Sequence, residues 1–218
     1  MQNYICYTVG RAGSTHAINA LTQQKYLHNF DEVFKVAHNV ENLWGENPYL
    51  QCQFMQKQVS DYKKPYSLKI HSKQYPYLDH KWFWRLIGEP KTVSYALYRN
   101  DLIDWVLSYI FALETMQWHS DEKTLPNSIP TYRQEYKTTL EKLKNNLIQF
   151  TFLRDNFDHV IEYNDIQSYF HTHFNVDTTK SNFVKLYTKE EKLFYLKNID
   201  LFMKDFLQVF EDKQFLNL

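Results

Sequence analysis

An α/β fold, with a central parallel β-sheet flanked by helices, is what this chain predicts, and three observations predict it. Short runs rich in β-formers alternate with stretches of helical periodicity, the pattern of strand–helix–strand crossovers. The first run, Tyr4-Ile5-Cys6-Tyr7, is apolar throughout and short enough to be a strand buried on both faces. At 218 residues, with no internal repeat, low-complexity tract or domain boundary, the chain suits a single domain over 1–218.

The elements follow in order. After the first strand comes Thr8-Val9-Gly10-Arg11-Ala12-Gly13-Ser14-Thr15, a loop with two glycines, a cation and hydroxyls. Ala17, Ile18, Ala20 and Leu21 then recur at helical spacing, with Ser14 or Thr15 placed as N-cap. A helix is predicted near 31–39, a loop over 44–48 and a second helix over 50–62, stopped by Pro65. Residues 66–71 read as a strand, Tyr75-Pro76 as a break and residues 81–87 as a helix. Residues 93–98 read as a central strand ending at Arg99-Asn100. A helix from Asp101 carries Ile103, Val106, Leu107, Ile110 and Phe111 on its apolar face, with Asp104 and Glu114 towards solvent or a site. Residues 120–130, with Pro126 and Pro130, form the most loop-like segment and a candidate lid. A long helix over 132–154, a strand over 159–163 and an amphipathic helix over 188–210 complete the chain.

Composition bounds the function. Lys plus Arg and Asp plus Glu both number 25, so formal net charge is zero. That balance argues against a large nucleic-acid footprint or a basic membrane-binding face, and confines any anion site to a local pocket. Cys6 and Cys52 are the only cysteines and read as reduced core residues, not a disulfide framework. No apolar run approaches membrane-spanning length, and a cytoplasmic protein is the expectation. Only four glycines occur, and two of them, Gly10 and Gly13, lie in the opening loop.

A strand–glycine loop–helix unit aims free backbone N–H groups and a positive helix end at one point, which suits phosphate or sulfate. The loop is not the nucleoside-triphosphatase type, Gly-x-x-x-x-Gly-Lys-Ser/Thr: its glycines are too close and no lysine follows the second. It resembles the 5′-phosphosulfate loop of the sulfotransferases through Thr8, Arg11, Gly13, Ser14 and Thr15. Arg99 at the end of a strand and Ser108 in the next helix resemble that family's 3′-phosphate motif, with an interval one residue longer than usual. Lys69-Ile70-His71 resembles its Lys-x-His, and period-two spacing puts Lys69 and His71 on one side of a strand. Ile161-Glu162-Tyr163-Asn164-Asp165-Ile166 resembles the turn after the family's fourth strand, where Tyr163 would either approach an adenine or pack in the core. All four patches occur in family order. The family's C-terminal Arg-Lys-Gly loop is missing, and Lys180-Ser181-Asn182 and Lys185 are the nearest basic substitutes.

The resemblance implies a P-loop-like sulfotransferase fold and transfer of a sulfuryl group from adenosine 3′-phosphate 5′-phosphosulfate (PAPS) to a hydroxyl or amine. The product would be adenosine 3′,5′-bisphosphate, and no metal would be required. The implied donor-binding residues are Arg11, Ala12, Gly13, Ser14, Thr15, Arg99 and Ser108. The implied catalytic residues are His71 as general base, Lys69 and Arg11. The acceptor would be a small molecule, sugar or lipid. Two alternatives come from other classes: a non-catalytic sulfotransferase-like binding module, and an ATP-dependent kinase. Elsewhere, His171 and His173 have a spacing two metal ligands could use on a strand, but read as a polar surface segment. Trp82-Phe83-Trp84 would either line an acceptor pocket, stacking on a sugar, or pack in the core, the commoner fate of such a cluster, and the charged run 135–144 reads as a solvated helix face.

Overall fold

The computed structural model of the chain describes residues 2–30, 48–115, 130–180 and 187–211. The predicted helix at 31–39, the loop at 44–47, the candidate lid at 120–129, and Ser181, Asn182 and Lys185 lie outside the described residues. The chain forms two compact units: unit 1 is Met1–Tyr98 with Gln149–Ser181, and unit 2 is Arg99–Ile148 with Asn182–Leu218.

Unit 1 holds the five-stranded parallel sheet: β1 (Asn3–Thr8), β2 (His28–Asn29), β3 (Tyr66–His71), β4 (Thr92–Tyr98) and β5 (His159–Glu162). The strand order is β2-β3-β1-β4-β5. The sheet is parallel, as the alternation of strands and helices predicts; the two-residue edge strand β2 is too short to show a sequence period. In register, Cys6 lies opposite Lys69 and Tyr95, and Thr8 opposite His71 and Leu97. From β1 the chain crosses towards the β3 side, and from β4 it crosses to β5. The carboxyl ends of β1 and β4 are therefore the topological switch point, where open parallel sheets bind ligands. Flanking elements in unit 1 are α1 (Ser14–Lys25), α2 (Pro48–Asp61), a 3-10 turn (Ser72–Tyr77) and α3 (His80–Ile87).

Aromatic side chains fill both faces of the sheet. Tyr4 and Tyr7, three positions apart on β1, face opposite sides. Tyr7 stacks on Phe150 at 5.4 Å and on Phe157 at 5.1 Å, while Tyr4 meets Phe174 edge-on at 5.8 Å. Trp82 and Phe83 are buried, in keeping with a packing role. Cys6 and Cys52 are buried free thiols.

Unit 2 contains α4 (Leu102–Thr115), most of α5 (Tyr136–Arg154), α7 (Lys189–Tyr195) and α8 (Ile199–Phe210); the short α6 (Ile166–Tyr169) follows β5 in unit 1. Two helix predictions are corrected here for one shared reason. Thr131 and Lys197 form a parallel bridge, with Tyr132 N–H donating to Lys197 O at 3.0 Å and Lys197 N–H to Pro130 O at 2.9 Å. That pairing delays the start of α5 from 132 to Tyr136. It also breaks the predicted helix 188–210 at Leu196-Lys197-Asn198, where Asn198 turns left-handed at φ 61°. Thr188 restarts the chain as α7 with a capping box: Glu191 N–H donates to Thr188 Oγ1 at 3.1 Å, and Thr188 N–H to Glu191 Oε2 at 2.7 Å.

The segment with His171 and His173 is a π-helical turn, Phe170–Phe174, not a strand, and both imidazoles are exposed. Among the described residues, no helix is long and apolar enough to cross a membrane.

Candidate functional site

In unit 1 the predicted loop and the Lys-x-His segment come together at the carboxyl ends of β1 and β3. Thr8 anchors the loop's start, its Oγ1 lying 2.8 Å from Val9 O and 3.2 Å from Leu97 O. Val9 and Ala12 are buried, which pins the loop against the sheet. Arg11 takes a left-handed conformation at φ 68° and Gly13 does so at φ 76°, whereas Ala12 between them does not. A positive φ on either side of Ala12 is the kind of backbone alternation from which anion-binding nests are built. Left-handed backbone on an arginine costs on the order of 1 kcal/mol, so the surrounding structure enforces it.

The N-cap of α1 is Gly13, not Ser14 or Thr15, and no side chain caps the helix. The reason is steric. A Cβ at Gly13 would lie 2.8 Å from the Tyr163 ring and 2.9 Å from Ile166 Cδ1, so those side chains close over the cap and only glycine fits the backbone they leave. Tyr163 is thus a packing residue of the loop. With Gly13 as cap, the first-turn amides of Ser14 and Thr15 point out of the positive end of α1.

Lys69 projects from β3 onto this turn. Its side chain has no solvent exposure, and its Nζ donates to Thr15 Oγ1 at 2.9 Å. His71, two residues on along the same strand face, is buried beside Gly10: a Cβ there would come within 3.9 Å of His71 Nδ1. The backbone N–H of His71 donates to Gln74 Oε1 at 2.7 Å, which fixes where β3 ends and the 3-10 turn begins. Burial lowers the His16 pKa in the first turn of α1.

In unit 2, Arg99 and Ser108 also meet. Arg99 Nη1 donates to Ser108 Oγ at 2.9 Å. Asp101 acts as cap of α4: its Oδ1 accepts from Asp104 N–H at 2.9 Å and its backbone O from Trp105 N–H at 2.9 Å. Bonds from Asp104 N–H and Lys189, 2.6 Å away, outweigh partial burial and lower the Asp101 pKa.

Two further side chains complete this cluster. Asp104 does not face solvent: its Oδ2 pairs with Arg99 Nη1 at 3.0 Å and its Oδ1 with Lys192 Nζ at 2.6 Å. Lys192 also donates to Ser108 Oγ at 2.7 Å, and that hydroxyl donates to Asp104 O at 2.7 Å. All four residues are no more than 7% exposed. Sequence reasoning missed Lys192. The available signal was the shared spacing of Asp101 and Asp104, at the cap and in the first turn of α4, and of Lys189 and Lys192 on α7, three residues apart in each case.

No protein-family model and no curated protein matches the chain. A crystal structure of an uncharacterized protein from Eubacterium ventriosum ATCC 27560 aligns with 79% of this chain and 100% of that one, at 11% identity and a TM-score of 0.42. A likeness so slight bears on neither fold nor activity.

Proposed function

We propose that this chain is a sulfotransferase-like enzyme that moves a sulfuryl group from PAPS to a hydroxyl or amine of a small-molecule, sugar or lipid acceptor. The observation that carries the reading is the fully buried Lys69 ammonium on Thr15 Oγ1, set behind a loop of alternating handedness at a helix start. A buried lysine bonded to a hydroxyl in the first turn of a helix, where backbone amides lack intrahelical partners, is chemistry for a phosphate or sulfate group.

In this reading the amides of residues 11–15, the Arg11 guanidinium and the Ser14 and Thr15 hydroxyls hold the phosphosulfate, with Ala12 and Gly13 contributing backbone only. His71 accepts the proton of the acceptor hydroxyl as its oxygen attacks sulfur. The bond from sulfur to the bridging phosphate oxygen breaks with its electron pair on the phosphate, and adenosine 3′,5′-bisphosphate leaves. Lys69 and Arg11 stabilise the charge that builds on that leaving oxygen. Arg99 and Ser108 receive the 3′-phosphate, the group that sets this donor apart from ATP.

The test is calorimetric titration with adenosine 3′,5′-bisphosphate and with ATP, each with and without magnesium, followed by transfer of labelled sulfate to an acceptor panel. Bisphosphate binding that is indifferent to magnesium and lost in Arg99→Ala supports the reading. Preference for magnesium-ATP rejects it in favour of a kinase. Donor binding without transfer to any acceptor assigns the chain to the non-catalytic module.

A further inference from the structure

We propose that unit 1 carries a further ligand site, a small cavity at the amino ends of β1 and β3 that takes an apolar amino acid in its zwitterionic form. The cavity measures about 210 Å³. Asn3 and Tyr66, the first residues of β1 and β3, both line it. It therefore lies roughly 17 Å from the glycine loop, at the other end of the strands, and stands whether or not PAPS is the donor.

Size and walls select the ligand's body. Drug-sized ligands occupy about 300–1,000 Å³, so this cavity suits a body no larger than an amino acid. Val59 on α2, Trp82 and Leu86 on α3, and Tyr66 on β3 are buried and give it apolar faces. The wall is held together by Trp82 Nε1 donating to Ser60 Oγ at 2.8 Å and Ser60 Oγ donating to Gln56 O at 2.8 Å. The indole N–H and the serine proton are thus committed within the wall, and carbon surface is what Trp82 offers a ligand.

Charge selects the ligand's ends. Arg85, in the last turn of α3, and Glu89, just past its Gly88 cap, also line the cavity. Both are exposed, so their charges stand at its mouth. They are four residues apart, yet among the described residues neither forms an ion pair. A guanidinium takes a carboxylate through two parallel bonds, and a carboxylate takes an ammonium. One charge of each sign at the mouth of an apolar cavity matches a molecule with both charges at one end and a hydrocarbon side chain at the other. Tyr66 adds no third charge: burial, and then the Glu89 carboxylate, push its pKa up to about 12, so it stays a neutral phenol.

Calorimetry of the full chain with L-phenylalanine, phenethylamine and 3-phenylpropionate tests the site, since the second lacks the carboxylate and the third the ammonium. Phenylalanine should bind about tenfold or more tightly than either, the scale of one charge-assisted hydrogen bond. Glycine, with both charges and no body, should bind more weakly by at least the same factor. Arg85→Gln should weaken phenylalanine about tenfold and leave phenethylamine unchanged, while Glu89→Gln should weaken phenylalanine alike and leave 3-phenylpropionate unchanged. Both positions are exposed, so the variants should melt with the wild type and lost binding is not lost folding. Leucine and methionine repeat the titration with slimmer side chains. Failure of all three amino acids to bind at millimolar concentration overturns the proposal, as does equal binding by wild type and both variants. Phenethylamine or 3-phenylpropionate binding as tightly as phenylalanine overturns the zwitterion as the ligand class.

Discussion

Removing the Asp104 carboxylate should cost this protein a large part of its stability, and the size of the loss can be worked from the cluster. Asp104 is the counter-charge of two cations, Arg99 at 3.0 Å and Lys192 at 2.6 Å, and neither those side chains nor its own is more than 10% exposed. In Asp104→Ala two like charges would face each other in the interior with no carboxylate between them. Breaking a buried pair by removing one partner costs about 3–5 kcal/mol, because the other charge stays desolvated and uncompensated. At roughly 2–4 °C per kcal/mol for a chain of this size, the melting temperature should fall by about 6–20 °C. Urea unfolding followed by circular dichroism gives the free energy, and hydrogen exchange at the amides of α4 reports whether the loss is felt in unit 2. Adding Lys192→Met to Asp104→Ala should recover about 1–3 kcal/mol, since the second change removes one of the stranded cations. A loss below about 1 kcal/mol in Asp104→Ala, or strict additivity in the double variant, would refute the view that these charges hold one another in place.

Three other outcomes are expected. On the proposed sulfuryl transfer, Lys69→Met should lower kcat by about 10²–10³, the scale of losing one donor to a developing oxyanion, and initial-rate kinetics with PAPS at unchanged kcat would remove Lys69 from the proposed reaction. Gly13→Ala places a Cβ 2.8 Å from the Tyr163 ring on a backbone at φ 76°, so it should destabilise the fold by about 1–3 kcal/mol or more in thermal melts. Burial lowers the His16 pKa, with the same cause acting first on His159. The unfolded chain therefore takes up protons that the folded chain refuses. Their contribution is complete above the ordinary histidine value of 6.5 and is lost as pH falls from there through the depressed folded values. Melts at pH 7.5 and 5.5 should show that loss, and His16→Asn should reduce it; an identical pH dependence in the variant contradicts the assignment.

The strands other than the two-residue β2 are legible because a run such as Tyr4-Ile5-Cys6-Tyr7 carries its own burial pattern, and because period two places Lys69 and His71 on one face wherever the strand lies. Ser14 and Thr15 were misjudged as caps since cap preference is a local rule. Tyr163 and Ile166, about 150 residues away, close over the loop and leave room there for glycine alone.

What the sequence by itself determined is the alternating α/β pattern, the glycine loop at the first strand–helix junction and the residue types gathered around it, all of them consequences of short-range period and side-chain chemistry. Only the tertiary structure decided that Thr131 and Lys197 pair and so bound two helices, that Arg99 reaches Ser108 in the next helix, and that Lys192 joins them. Each of those contacts joins positions that no single element's period relates. Their positions depend on how loops close and which buried charges find partners, a condition that exists only once the chain has folded.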